Sequence, residues 1–125
     1  VTVGSIVSAA SNGVATIGSA STWFGNAYIQ AVNALYADIA ENYKADSDYE
    51  PGTVVVFGGN EEITTTTQFA DVTVAGAIST NPAYLMNDTI TGLPLALRGR
   101  VPVKVIGPVR KGDSLVTSTT VGCAV

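Results

Sequence analysis

The side chains of this protein that could take part in chemistry are mainly carboxylates, because histidine and cysteine are nearly absent. The 125 residues include no histidine and one cysteine, Cys123. Histidine is the commonest general base and metal ligand, and a catalytic thiol needs a basic partner. The composition therefore excludes Ser-His-Asp catalysis and an intramolecular disulfide, and it predicts a protein with no metal centre, no cofactor and no enzymatic activity.

An acidic cluster is the first candidate site. Asp46, Asp48 and Glu50 stand at alternate positions, as the first ligands of a calcium-binding loop do. The remaining ligands and the central glycine of such a loop are missing from the sequence. We therefore interpret the cluster as a solvated acidic strand, and no metal ligand is predicted.

Aromatic and arginine side chains supply the candidates for ligand binding. Trp23, Tyr49 and Tyr84 carry rings that could stack on a sugar. Arg98 and Arg100 alternate around a glycine, so on a strand they would point the same way and could bind glycan hydroxyl groups. Packing in a core or interface is the alternative interpretation for Trp23, and ion pairing is the alternative for the two arginines.

The elements that must position these residues differ sharply in charge. Residues 1–37 carry no charged side chain, residues 38–71 hold eight acids and one base, and the rest of the chain is mainly basic. Monomeric proteins keep exposed apolar patches small and intersperse them with charge. An uncharged arm therefore predicts coverage by copies of itself, and we expect an obligate oligomer.

The overall composition limits the partners and the number of domains. With 46% apolar residues, 13% charged residues and a net charge of −4, the chain can form one compact domain, with or without an appendage. The mean hydropathy is +0.33 and the pI about 4.4. This acidic balance argues against nucleic-acid binding, and no apolar run reaches the roughly 20 residues of a membrane-spanning helix. The chain starts at Val1, and we expect it to be a piece of a longer protein.

Short β-strands dominate the predicted secondary structure. Turn signals such as Asn12-Gly13, Pro51-Gly52 and Gly107-Pro108 separate short β-branched runs. The predicted strands cover residues 2–7, 14–17, 53–57, 61–69, 72–79, 93–97, 99–106 and 114–118, and Pro102 makes one of them an edge or bulged strand. The spacing predicts an all-β protein in which a short arm precedes a compact β barrel or sandwich.

The segment between the arm and these strands fits two structures. The residues spaced three and four apart, as in an amphipathic helix, are Ile29, Val32, Tyr36, Ile39 and Tyr43. Residues 28–32 also alternate as a strand would. The sequence therefore leaves open a short helix near residues 27–43 and a strand in the same place.

An ordered set of motifs in residues 37–118 resembles a module of bacteriophage tail-fibre and related virion appendage proteins. The motifs include Ala37-Asp38-Ile39-Ala40-Glu41-Asn42-Tyr43, Tyr49-Glu50-Pro51-Gly52, Ser79-Thr80-Asn81-Pro82-Ala83-Tyr84, Arg98-Gly99-Arg100-Val101-Pro102 and Gly107-Pro108-Val109-Arg110-Lys111-Gly112-Asp113. Upstream, residues 18–31 resemble a shaft repeat with a Gly-Ser-x-x-x-x-Phe-Gly pattern. The resemblance implies a homotrimer with interwoven β shafts.

A more distant resemblance implies a different activity. Some phage appendages end in an intramolecular chaperone that guides trimer assembly and then cleaves itself off, and Asp38 and Glu41 occupy an element similar to one found in that group. The resemblance implies that these carboxyl groups act as general acid or base, while Asn33 attacks or adjoins the cleaved amide. Residues 30–46 contain no serine or threonine, which departs from that group. Structural ion pairing is the alternative role of the two carboxylates, with Arg98, Arg100 and Lys104 as the partners.

These observations lead to one expectation for the whole chain. Residues 1–37 form an uncharged oligomerisation arm at the end of a fibre shaft, and residues 38–125 form a β-rich head. We expect a structural, homotrimeric module of a phage fibre or appendage, located in the virion, with a host-surface glycan or protein as a further partner. A self-cleaving chaperone and a glycan-binding receptor-recognition head are the alternative functions.

Overall fold

Among the residues that the structure describes, the β-strands lie in the second of two units. The structure is a computed structural model that describes residues 3–125. The first unit ends at Val32 and the second begins at Asn33. The strands are β1 (Asp38–Tyr43), β2 (Val54–Phe57), β3 (Ile63–Thr64), β4 (Val74–Ala77), β5 (Tyr84–Met86) and β6 (Leu93–Gly99). The all-β prediction is confirmed for the described part of the chain.

The six strands form two small sheets. In the first sheet β1 lies between β5, which is parallel to it, and β6, which is antiparallel. In the second sheet β2 lies between β3 and β4, both antiparallel to it. An isolated bridge between Ile78 and Leu95 links the end of β4 to β6. Neither sheet closes into a barrel, so a barrel was the wrong architecture.

The core of the second unit lies where the two sheets meet. Val55, Ile63, Ile78 and Leu95 form its buried centre, each 0–1% exposed, and Tyr43 packs against them from the end of β1. Burying an aliphatic side chain of this size contributes about 1.5–3 kcal/mol. The β-branched side chains that predicted strands here also supply most of the core.

Three predicted strands and one hairpin are confirmed. Strands β2, β4 and β6 fall on the predicted runs 53–57, 72–79 and 93–97. The hairpin from β2 to β3 turns at Gly58 and Gly59, where the φ of Gly59 is 83°. A Cβ on Gly59 would lie 2.8 Å from the Cβ of Thr64, so this turn needs glycine.

Of the two structures that the sequence leaves open near residues 27–43, the helix is not formed, because residues 38–43 form β1 and none of residues 27–37 is helical. An amphipathic helix is stable when its apolar stripe packs on a core. Here the stripe residues Ile29 and Val32 are 64% and 75% exposed. Strand β1 gains two partner strands instead, and Gly99 allows a close approach, since a Cβ there would collide with the carbonyl oxygen of Ala37.

Other predicted strands are absent among residues 3–125. Residues 99–106 and 114–118 contribute isolated bridges to Ala124 at Val105 and Thr117. Pro102 lies inside the first of these runs and Gly107 follows it, and proline cannot donate to a ladder. In the arm, residues 3–7 and 14–17 have no partner strand and form none, while Val1 and Thr2 of the predicted strand 2–7 lie outside the described residues. Strand β5 was not predicted, because its three residues show no alternation of apolar and polar side chains.

Candidate functional site

The first unit is an apolar surface without charge. Every residue from 3 to 32 is exposed, including large apolar side chains such as Ile6 at 85% and Ile17 at 87%. The backbone hydrogen bonds of these residues are a turn from Val14 to Ser11 and a pair between Ser19 and Thr22. Within the single chain, this segment therefore leaves both its apolar side chains and most of its backbone polar groups without partners.

A tight turn orders the middle of this unit. Ser19 and Thr22 exchange two backbone hydrogen bonds of 3.1 and 3.2 Å. Trp23 donates its Nε1–H to the carbonyl oxygen of Ala20 at 3.1 Å, yet the residue is 64% exposed. Its neighbour Phe24 is 70% exposed. Trp23 is therefore not a core residue of the single chain, and its ring is free to contact a partner.

The residues proposed for self-cleavage do not converge. Asp38 and Glu41 lie three positions apart on β1, and side chains at an odd spacing on a strand point to opposite faces. Asp38 is 5% exposed, and its Oδ2 has no hydrogen-bond partner in the described part of the chain. Glu41 accepts a 3.4 Å hydrogen bond from the hydroxyl of Tyr43, whose pKa is raised by burial and then by the charge of Glu41. Asn33 is exposed and precedes β1.

Two of the three acids of the cluster, Asp46 and Glu50, make contacts with other side chains of the second unit. The hydroxyl of Tyr49 donates to Oδ1 of Asp46, and Asp46 is also held by the hydroxyl of Thr64. These two hydrogen bonds lower the pKa of Asp46 below its ordinary value, that from Tyr49 having the larger effect. Tyr49 is half-buried and packs against the core.

The ion pairing of the basic residues differs from the prediction. Lys104 Nζ lies 3.1 Å from Glu50 Oε2 and 3.1 Å from the hydroxyl of Thr53. The expected pairing of Asp38 or Glu41 with a basic side chain is not found in residues 3–125. Alternation on the strands explains this for Asp38, since Arg98 pairs across the sheet with Ile39 and therefore points away from Asp38.

Two of the predicted ligand-binding residues share one row of the first sheet. Ile39 on β1 is the cross-strand partner of both Tyr84 on β5 and Arg98 on β6. Cross-strand partners point to the same side, so these three side chains lie in a row. Tyr84 is 63% exposed, and Arg98 is exposed as well. Arg100 follows the end of β6, and its backbone N–H donates to the carbonyl oxygen of Ala37.

An apolar groove of about 260 Å³ in the second unit was not predicted from the sequence. Its walls come from β4, from the end of β6 and from the segments that follow β6. Its lining includes Val74, Leu97, Arg98, Val101, Val103 and Leu115. The alternation of Val101 and Val103 around Pro102 is the available signal, but the same alternation also predicts a strand. Among the described residues, Arg98 is the one charged residue that lines the groove.

A buried threonine was not predicted either. The hydroxyl of Thr117, which is 2% exposed, donates to the carbonyl oxygen of Gln68 at 2.9 Å and accepts from the N–H of Asp71 at 2.6 Å. Asp71 in turn accepts bonds from the hydroxyl and N–H of Thr73, and these lower its pKa. Nothing in the local sequence marks Thr117, because its partners lie more than 40 residues away.

The described residues contain no cluster of three or more acidic, histidine or cysteine side chains that could hold a metal ion. In residues 3–125 there is also no helix with the length and apolar character to cross a bilayer. Comparisons with protein families, with curated proteins and with solved structures found no match to this chain.

Proposed function

We propose that this protein is a structural module of a bacteriophage tail fibre or virion appendage, and that it assembles as a homotrimer. Residues 1–37 serve as the shaft-like oligomerisation arm, and the β-strands that follow form the head. The motifs in residues 37–118 support the assignment to phage appendages. The observation that carries the assembly is the exposure of every described residue of this uncharged, apolar-rich arm, residues 3–37.

The balance of interactions favours association of the arm. Each large apolar side chain moved from water into an interface contributes about 1.5–3 kcal/mol, and the arm exposes several of them. An exposed ion pair such as Lys104–Glu50 contributes about 0–1 kcal/mol. No charged group in residues 3–37 has to be removed from water when the arms meet. Apolar burial between chains is therefore the dominant stabilising term.

The arm also supplies backbone groups that an assembly would satisfy. Among residues 3–18, the bond from Val14 to Ser11 is the single hydrogen bond between two backbone groups. Extended segments satisfy such groups by pairing with neighbouring strands, and a fibre shaft made of three chains offers those neighbours. Hydrogen bonding of the backbone and burial of the apolar side chains therefore both favour an assembly in which the arms of three chains pair.

Sedimentation equilibrium of the intact chain at micromolar concentration tests the assembly. The expected mass is three times the 12.7 kDa chain mass. A stable, folded monomer would contradict the proposal. The location is tested separately by electron microscopy, in which gold-labelled antibodies against the protein are expected on the tails of virions produced with its gene. Labelling that is absent from virions would contradict the assignment to a phage appendage.

A further inference from the structure

The groove of the second unit has an open strand edge. Strand β6 is paired along one side with β1. On its other side, the bridge between Ile78 and Leu95 is isolated, and within residues 3–125 no ladder continues from it toward Leu97 and Arg98. In the described structure, β4 is likewise paired with β2 but not with β6 beyond this bridge. Next to the bridge, Gly76 of β4 lies against the carbonyl oxygen of Ala96. Beyond Ala96, no described strand is paired with this side of β6, so Leu97–Gly99 form its free edge.

The side chains around this edge are apolar and accessible. Leu97 is 45% exposed, Val74 is 48% exposed and Leu115 is 40% exposed. With Val101 and Val103, they surround a cavity of about 260 Å³ that opens to solvent. An open strand edge beside apolar pockets is the geometry that binds an extended peptide by strand addition, with the main chain providing affinity and alternate side chains filling the pockets.

We propose that this groove receives an extended stretch of the uncharged arm from a second copy of the chain. The arm stretch pairs along the free edge of β6 and places aliphatic side chains between Leu97 and Leu115. This inference rests on the proposed assembly function and deepens it, because it names a surface that the arm of another copy covers.

The properties of the arm match those of the groove. The arm has no charged residue, so its insertion removes no ionic group from water, a step that is costly for a charged peptide. Its aliphatic residues are exposed, with Val14 at 66% and Ile17 at 87%. The sequence predicts a strand over residues 14–17, but these residues have no partner strand in the described structure. The arm lacks a partner strand, and β6 lacks one on the side away from β1, so a single pairing between them supplies both.

Disulfide trapping in the full chain tests this pairing. Two variants, both carrying Cys123→Ser, are mixed, unfolded and refolded together: one has Ile17→Cys, and the other has Leu115→Cys and a mass tag. Mild oxidation is expected to give a covalent heterodimer that non-reducing gels resolve by mass. The matched control places the second thiol at the exposed Thr89, as Thr89→Cys, and is expected to give at most about a tenth of that product.

The outcomes separate this inference from the proposed function. A trimer by sedimentation without the Ile17–Leu115 product overturns the groove pairing and leaves the trimer in place. An equal yield with Thr89→Cys also overturns it, since trapping would then be non-specific. A chain carrying both substitutions that links within itself, but not to another copy, overturns it as well. A monomeric protein overturns both the pairing and the assembly.

Discussion

The two units of this chain use similar apolar residues in opposite ways. Ile63 in the second unit is completely buried, whereas Ile17 in the first is 87% exposed. The second unit surrounds its apolar centre with charged strands and turns, but residues 3–32 have neither charge nor buried side chains. Apolar content alone therefore does not make a core. A segment also needs partner strands close enough to cover it.

The largest effect is expected from breaking the core of the second unit. Leu95→Ala removes a fully buried side chain at the bridge between the sheets, and it should lower the free energy of unfolding by about 2–5 kcal/mol. Urea denaturation followed by far-UV circular dichroism measures the loss. The control Val72→Ala, at a position 91% exposed, should change stability by less than about 0.5 kcal/mol. Equal losses in the two variants would contradict the assigned core.

The next effect should appear in the first unit, and in association rather than in folding. The double variant Ile6→Asp/Ile17→Asp places charges in the apolar arm and should weaken trimer formation about a hundredfold, because carboxylates must then be desolvated. Sedimentation equilibrium measures the shift, and the circular dichroism of the β-strands should stay unchanged. The conservative Ile6→Val/Ile17→Val should remain trimeric. Unaltered association of the aspartate variant would mean that the arm is not the interface.

A smaller loss of stability should follow from removing one buried hydroxyl. Thr117→Val keeps the shape of the side chain but leaves the N–H of Asp71 and the carbonyl of Gln68 without their partner. The expected cost is about 1–3 kcal/mol in the free energy of unfolding. Thr119→Val, on the exposed turn two residues later, serves as the matched control. A Thr117→Val protein as stable as this control would show that the network contributes nothing.

The smallest effect concerns the titration of Asp46. Hydrogen bonds from Tyr49 and Thr64 lower the pKa of this carboxyl group below its ordinary 3.8. These hydrogen bonds therefore stabilise the folded state above pH 3.8. Their contribution is lost as the pH falls through the lowered pKa of Asp46 in the folded protein. Carboxyl-carbon NMR should give a midpoint below 3.8, and Tyr49→Phe should raise it, whereas Tyr84→Phe should not. An unshifted midpoint in Tyr49→Phe would remove Tyr49 as the main cause.

Much of the second unit could be predicted from local sequence, since β2 lies on a β-branched run and β4 and β6 lie on short apolar runs between turn signals. Strand β1 could not, because its spacing of three and four also fits a helix, and its structure depends on β5 and β6, which lie more than 40 residues away. The sequence marks Arg98 and Tyr84 as separate candidates. Their common row with Ile39 is a consequence of strand register, which local patterns do not contain.

Hydrogen exchange of the arm amides tests most directly whether other copies cover the first unit. In a single chain, two amides of residues 3–18 donate hydrogen bonds, Val14 to the carbonyl oxygen of Ser11 and Ala10 to the hydroxyl of Ser8, so most amides there should exchange at nearly unprotected rates. In the assembled protein, we predict that these amides are protected at least as well as those of the turn at Ser19 and Thr22, and that dilution removes the protection. Arm amides that exchange freely in a protein shown to be trimeric would contradict the account.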